Sequence, residues 1–244
     1  MKRFYYDLHV HSCLSPCGDM DNTPANIAGM ASLCEVDIVA LTDHNTSKNC
    51  PAFFEAASRY GIIPVAGMEL TTSEEIHVVC LFETLEDALD FDAYISTKRI
   101  LIKNRADIFG EQLILNGNDE PIGQEEHLLT VATTVSIEDV PSLVEKYRGV
   151  CYPAHIDRQS YGIVAVLGTV PKTPHFPAVE FSRDEIIEEY RQKYCIGDKI
   201  TVRSSDAHTL GDIPDRRYFF ELPVDNSSPS EVRRALINHL RGKK

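Results

Sequence analysis

Histidine and carboxylate residues recur in six short pieces of this chain. They are Asp7-Leu8-His9-Val10-His11, Thr42-Asp43-His44-Asn45, Gly67-Met68-Glu69, Ile76-His77, Pro153-Ala154-His155 and Ser205-Asp206-Ala207-His208, and they hold six of the nine histidines. Imidazole and carboxylate groups are the nitrogen and oxygen donors of divalent-metal sites, and a protein that gathers so many reads as a multinuclear metallohydrolase. Residues i and i+2 of a strand face the same way, so His9 and His11 point together from backbone positions about 6–7 Å apart and can converge on one ion. Asp206 and His208 repeat that spacing, while His44, Glu69, His77 and His155 each follow an apolar run. Taken singly, each piece has an ordinary explanation: a chance His-x-His, a solvated glutamate, a satisfied core histidine. Their joint occurrence carries the argument. Asp7 and Asp43 flank histidines and are expected to orient them as hydrogen-bond acceptors. His127, His175 and His239 lack such context and read as surface or structural residues.

Strands must bring these pieces together. Strand-like runs are expected over residues 4–10, 38–41, 62–65, 76–82, 149–152, 178–181, 200–204 and 217–222. Helices are expected between them. One begins at Thr23-Pro24 and runs to about Cys34, with an N-cap and an N1 proline. Others cover 51–60, stopped by Gly61, then 85–105, 137–147 and 184–194. Ser228-Pro229-Ser230-Glu231 is a capping box before the last helix. Residues 109–134 are irregular, with a turn at Asn116-Gly117-Asn118-Asp119. This alternation implies a mostly parallel sheet, and in a parallel barrel all strand C-termini gather on one face, where the six pieces would meet in one bowl.

The 244 residues, 43% of them hydrophobic, suit one globular α/β domain spanning residues 1–244. A net charge of −13 argues against a long nucleic-acid track but not against a small anionic substrate, because bound metals reverse the local field. No stretch approaches the ~20 apolar residues of a membrane span, and the N-terminus runs into its charged motif without the apolar segment of a signal peptide. Seven scattered cysteines, several in apolar company (Cys34, Cys80, Cys151), indicate a reducing cytoplasm. Cys13 and Cys17 lie beside the first motif and read as loop thiols, with a metal or redox role as the alternative. Asn45-Thr46-Ser47 and Asn226-Ser227-Ser228 match the glycosylation pattern, which carries no meaning in the cytoplasm. There is no phosphate-cradling glycine loop, no Gly-x-Ser-x-Gly elbow and no His-Glu-x-x-His helix.

The ordered set of motifs resembles the PHP (polymerase and histidinol phosphatase) family along nearly the whole chain. The resemblance implies a distorted (β/α)7 barrel, TIM-barrel-like, with two to three divalent ions (Zn, Mn or Fe) at the C-terminal ends of the strands. Carried over by motif, His9, His11, Glu69 and Asp206 hold one ion, and Glu69 bridges to a second held by His77 and His155. His44 and His208 hold a third, with one donor from the loop after His11. Family members often carry Ser-Asp-Gly there, four residues before Thr-Pro; this chain has a longer loop, and Asp19, four residues before Thr23, is preferred to Asp21. Three divalent ions against Asp19, Glu69 and Asp206 leave a net charge of about +3, suited to phosphate. The implied activity is phosphoester hydrolysis, with a metal-bridging hydroxide attacking phosphorus of a small phosphorylated metabolite or nucleotide. His9, His11, Glu69, Asp206 and His208 would carry catalysis, and Arg158 and Arg183 would hold the phosphate. Two other readings are a histidinol-phosphate phosphatase and an accessory module without turnover beside a DNA-processing protein, nucleic acid entering only as a nucleotide or short end.

Overall fold

Alternating apolar runs and capped amphipathic segments give an α/β fold, and the computed structural model describes residues 1–224 and 228–243. In chain order the elements are β1 (Lys2–Val10), α1 (Pro24–Leu33), β2 (Ile38–Leu41), α2 (Cys50–Tyr60), β3 (Ile63–Thr71), β4 (His77–Phe82), α3 (Leu85–Ser96), α4 (Ala106–Phe109), β5 (Leu113–Leu115), β6 (Pro121–Gln124), α5 (Val140–Lys146), β7 (Gly149–Pro153), α6 (Ile163–Leu167), β8 (Ala178–Phe181), α7 (Ile187–Lys193), β9 (Ile200–Arg203), β10 (Phe219–Leu222) and α8 (Pro229–Leu240). Asn226 and Ser227 of the second glycosylation pattern lie outside the described residues. Among the described residues no helix is long and apolar enough to cross a membrane, and all seven cysteines are free.

Local chemistry sets the helix ends. The Thr23 hydroxyl accepts from the Asn26 N–H at the start of α1, and Gly61 ends α2 with φ of 72°, a left-handed conformation that costs glycine nothing. The helix expected over 85–105 stops at Ser96. The chain beyond it is extended instead, with Arg99 bridged to Thr133 and Lys103 to His127. Residues 113–124, within the irregular stretch, form a β5–β6 hairpin.

Six strands form a curled sheet in the order β10-β1-β2-β3-β4-β7. The expected parallel pairing holds for β1–β2, β2–β3 and the separate pair β8–β9. It fails at β10, which is antiparallel to β1, and at β4, which is antiparallel to both β3 and β7. At β4 the cause is the short connection to β3 at residues 72–76: a tight turn joins antiparallel strands, whereas a parallel return needs a long crossover. Backbone bonds link the pieces further: Ile156 N–H to Glu180 O between the ends of β7 and β8, and His11 N–H to Ala207 O with Ala207 N–H to His9 O between the end of β1 and the loop after β9.

Side chains alternate between two apolar clusters. The inner one takes Tyr6 and Leu8 of β1, Ile38 and Ala40 of β2, Ile63 and Val65 of β3, Val79 and Leu81 of β4, and Val150 and Tyr152 of β7. Val232, Leu236, Ile237 and Leu240 of α8 join it. The outer cluster takes the intervening residues with α1, α2 and α3. Continuing the inner phase places Glu69 of β3 and His77 of β4 on the inner face, directly above the apolar plug. In β1 the phase changes: Leu8 is inner and Val10 outer, with an irregularity between Asp7 and Val10. That bulge re-aims His9 and His11 inward.

Gly67 sits two residues before Glu69, where a Cβ would stand 2.9 Å from Cys80 O, Leu81 Cδ2 and Thr42 Cγ2. Gly67→Ala is therefore expected to cost about 1–3 kcal/mol through overpacking, read as a lower urea midpoint at unchanged slope.

Candidate metal centre

Five imidazoles surround one carboxylate. Glu69 Oε1 lies 2.8 Å from His77 Nδ1, 3.1 Å from His155 Nε2 and 3.3 Å from His9 Nε2; Oε2 lies 3.0 Å from His44 Nδ1 and 3.4 Å from His11 Nε2. Asp206 Oδ1 completes the group at 3.2 Å from His9 Nε2 and 3.1 Å from His11 Nε2. All seven side chains are buried. The strand directions explain the convergence. His44 and His155 follow β2 and β7 and Asp206 follows β9, whereas His77 opens β4, whose reversed direction brings its start to the same end.

The backbone is held in unusual conformations here. Asn45, His155, Tyr161 and Asp206 all have positive φ, 52°, 27°, 59° and 54°. Such conformations cost non-glycine residues roughly 1–3 kcal/mol each and persist only where surrounding structure enforces them.

Hydrogen bonds fix the rings. His9 Nδ1 lies 3.0 Å from Glu180 Oε1, a buried carboxylate that also accepts from His155 N–H. This leaves Nε2 of His9 facing the cluster. Ser15 Oγ donates to Asp43 Oδ1 at 2.7 Å, accepts from His44 N–H, and sits 3.1 Å from His11 Nδ1. With its own proton committed, Ser15 accepts from His11 Nδ1–H, which turns the Nε2 lone pair inward. His208 Nδ1 donates to Asp206 O at 2.7 Å, leaving Nε2 as its free donor atom.

Asp43 thus orients His11 through Ser15. Asp7 touches no ring: it accepts from the His9 and Ser205 N–H groups and the Ser205 hydroxyl, holding the loop that carries Asp206. Burial pushes its carboxyl up to about 6.

The donor spacing fits divalent ions. Metal–nitrogen and metal–oxygen bonds near 2.0–2.2 Å place neighbouring donors of a tetrahedral site about 3.3 Å apart. Within the set His9, His11, Glu69 and Asp206, contacts from either histidine to the two carboxylates run from 3.1 to 3.4 Å, and His9 Nε2 is 3.2 Å from His11 Nε2. A second set is His44, Glu69 and His77, with His155 beside the same Glu69 oxygen. Nδ1 of His155 is buried without a hydrogen-bond partner. Burial would raise the Glu69 carboxyl, yet His77, His9 and His44 hold it well below the usual range. Burial likewise opposes protonation of His9 and His11, but the facing carboxylates outweigh it, lifting His9 well above its ordinary value and His11 to about 9.

The cluster floors a cavity of about 360 Å³ lined by Cys17, Thr130, Arg158, Ser160, Tyr161 and His208 besides the cluster itself. Tyr161 stacks on His77 with ring centres 4.4 Å apart. A larger hollow of about 910 Å³ beside α8 holds none of the converging donor groups found among the described residues.

The structure brings His9, His11, His44, Glu69, His77, His155, Asp206 and His208 together. It does not bring Asp19: that side chain is exposed, Oδ1 accepts from Asp21 N–H, and Cys17 stands with the third set instead. Asp21 is exposed as well. Arg158 reaches the cavity, its Nη1 on Asp206 Oδ2 and its Nε on Ser182 Oγ. Arg183 pairs with Asp157 and does not line the cavity. Irregular residues 109–134 contribute Thr130 to the lining. Glu180 went unrecognised, although a lone carboxylate inside the apolar strand Ala178–Phe181 was a readable sign.

Removing Glu180 should loosen the cluster without unfolding it. Glu180→Gln is expected to weaken metal binding roughly 10–100-fold, measured by competition with a chromogenic chelator, with the metal-free circular dichroism spectrum unchanged.

Solved structures of low identity share the fold. The lesion-specific endonuclease PfuEndoQ of Pyrococcus furiosus superposes with a TM-score of 0.63 at 16% identity over 97% of this chain and 56% of its own. An endonuclease Q bound to duplex DNA with an abasic lesion gives 0.63 at 14%, over 99% and 57%. The chain thus spans little more than half the length of those endonucleases. A "putative metal-dependent phosphoesterase" of Bifidobacterium adolescentis gives 0.59 at 17%, over 96% of both chains. No curated protein sequence matches the chain. The PHP domain family matches residues 7–197, the span that opens at Asp7 and carries every clustered donor side chain except those of the Asp206 loop, and the chain belongs to that family.

Proposed function

We propose that this protein is a metal-dependent phosphoesterase acting on a small phosphorylated metabolite or nucleotide. The observation that carries this reading is the buried group of five imidazoles and two carboxylates, spaced for divalent ions, at the floor of a cavity that Arg158 also lines. When bound, the ions supply Lewis acidity, acidifying a coordinated water and offsetting charge on phosphoryl oxygens. His9, His11, Glu69 and Asp206 hold one ion in this reading, His77, His155 and Glu69 a second, and His44 and His208 serve a third.

The chain's own residues then do three things. Glu180 and the Ser15–Asp43 pair keep the His9 and His11 rings in one tautomer and one orientation. Arg158 grips the phosphate, its guanidinium suited to two oxygens at once, while it steadies Asp206. Tyr161 and Thr130 narrow the opening. The cavity volume suits a molecule of metabolite size. Residues 1–244 act as one domain, the strands β1–β4 and β7–β9 forming a distorted seven-stranded barrel, and the free cysteines favour a cytoplasmic setting. Histidinol phosphate is one candidate substrate.

The likeness to endonuclease Q favours a second reading, cleavage of a diester at a DNA end. The net charge of −13 weighs against it, since duplex binding draws on basic contacts along the phosphate backbone.

The test is a panel of phosphate monoesters, diesters and abasic DNA, assayed with and without chelator. Chelator-sensitive release from monoesters is expected, and His9→Ala or Asp206→Ala should abolish it. Turnover of DNA alone would replace the first reading with the second. Arg158→Ala should raise KM about tenfold or more while bound metal is retained, consistent with loss of a charge-assisted contact.

A further inference from the structure

Cys17 belongs to a group of donors of which the proposed function uses only the histidines. Its sulfur and one donor atom from each of His11, His44 and His208 all lie within 4.8 Å of one another. His11 Nε2 already faces His9, Glu69 and Asp206, so His44, His208 and Cys17 remain for a separate ion. His44 is buried, its Nδ1 3.0 Å from Glu69 Oε2 but outside hydrogen-bond geometry. His208 is held with Nε2 free by the bond from its Nδ1 to Asp206 O.

The loop is shaped to deliver the sulfur. Ser15 N–H bonds Ser12 O and Gly18 N–H bonds Ser15 O, two successive turns that fold residues 12–18 back over the cluster. Gly18 approaches Ser12 O so closely that a Cβ there would lie 2.4 Å from it. Asp19 N–H bonds His208 O at 2.8 Å, which ties this loop to the one carrying His208 while the Asp19 carboxylate faces its own backbone.

We propose that Cys17, and not Asp19, is the donor that this loop gives to an ion shared with His44 and His208. On binding, the thiol proton leaves to solvent and a sulfur–metal bond forms. Two imidazoles and a thiolate make a softer set than the imidazole and carboxylate donors around Glu69, so this position selects zinc, cobalt or iron over magnesium or manganese. The proposal rests on the reading that the cluster holds metal ions.

Cobalt(II) loading of the full-length protein tests it. Wild-type protein and Asp19→Asn should develop the near-ultraviolet sulfur-to-cobalt charge-transfer band, and Cys17→Ser should lack it and retain one equivalent less metal. Cys13→Ser, which alters a buried thiol outside the set, should keep the band. Zinc should also protect Cys17 from iodoacetamide, mapped by peptide mass. Ions taken up with no sulfur band, or a band that survives in Cys17→Ser, or loss of the ion in Asp19→Asn alone, would overturn the cysteine's role. A wild-type protein that takes up no ion overturns the broader metal reading as well.

Discussion

A buried glutamate with five imidazoles around it is the constraint from which the rest of this structure follows. Glu69 is 1% exposed, and an isolated ionised carboxylate taken that far from water costs far more than a protein can spare. Protonating the carboxyl would relieve that cost, yet the surrounding histidines hold it well below its usual range. The charge stays, so compensating positive charge has to be present. Protons on His9 and His11 can supply it, and divalent ions can supply it with geometry. The cluster is therefore a place where protons and metal ions compete for the same lone pairs.

Such a cluster demands precise placement from the backbone, and two departures from regular structure provide it. The bulge in β1 changes which face its residues present, so that His9 and His11 turn inward although Leu8 before them is already inward. The reversal of β4 places the start of that strand, and with it His77, among residues that elsewhere follow strand ends. Left-handed conformations at Asn45, His155 and Asp206 then aim the loops that leave β2, β7 and β9. None of these is favourable locally. They are sustained by the apolar plug beneath, where Leu8, Val65, Val79 and Tyr152 meet, and by α8 against β3 and β7.

The sequence made the donors legible because their chemistry is rare. Histidine and acid at the end of an apolar run have few uses, and eight of the nine expected ligands do converge. What stayed hidden depends on long-range pairing. The antiparallel course of β4 follows from the short connection at 72–76, whose length was visible but whose consequence was overridden by the expectation of a parallel barrel. The end of α3 at Ser96 is set by the extended segment pairing with residues 127–133, which no local propensity reports. Glu180 lies far along the chain from His9, and only the folded sheet brings them to 3.0 Å. Asp19 illustrates the opposite case: its position relative to Thr23 points to it, but in the folded loop its carboxylate is exposed and accepts from Asp21 N–H.

The same division of labour explains why rigid and variable parts sit where they do. The donors stand on strand ends above a filled core, where a displacement of one backbone segment is resisted from several sides. The cavity lip comes instead from connecting segments, Thr130 from the stretch after the β5–β6 hairpin and Arg158, Ser160 and Tyr161 from the turn after β7. Residues there can change without disturbing the plug. Arg158 joins the two levels, because it lines the opening and also bonds the buried Asp206. A rim group bonded to a cluster carboxylate thus places the cavity lip in direct contact with the donors below.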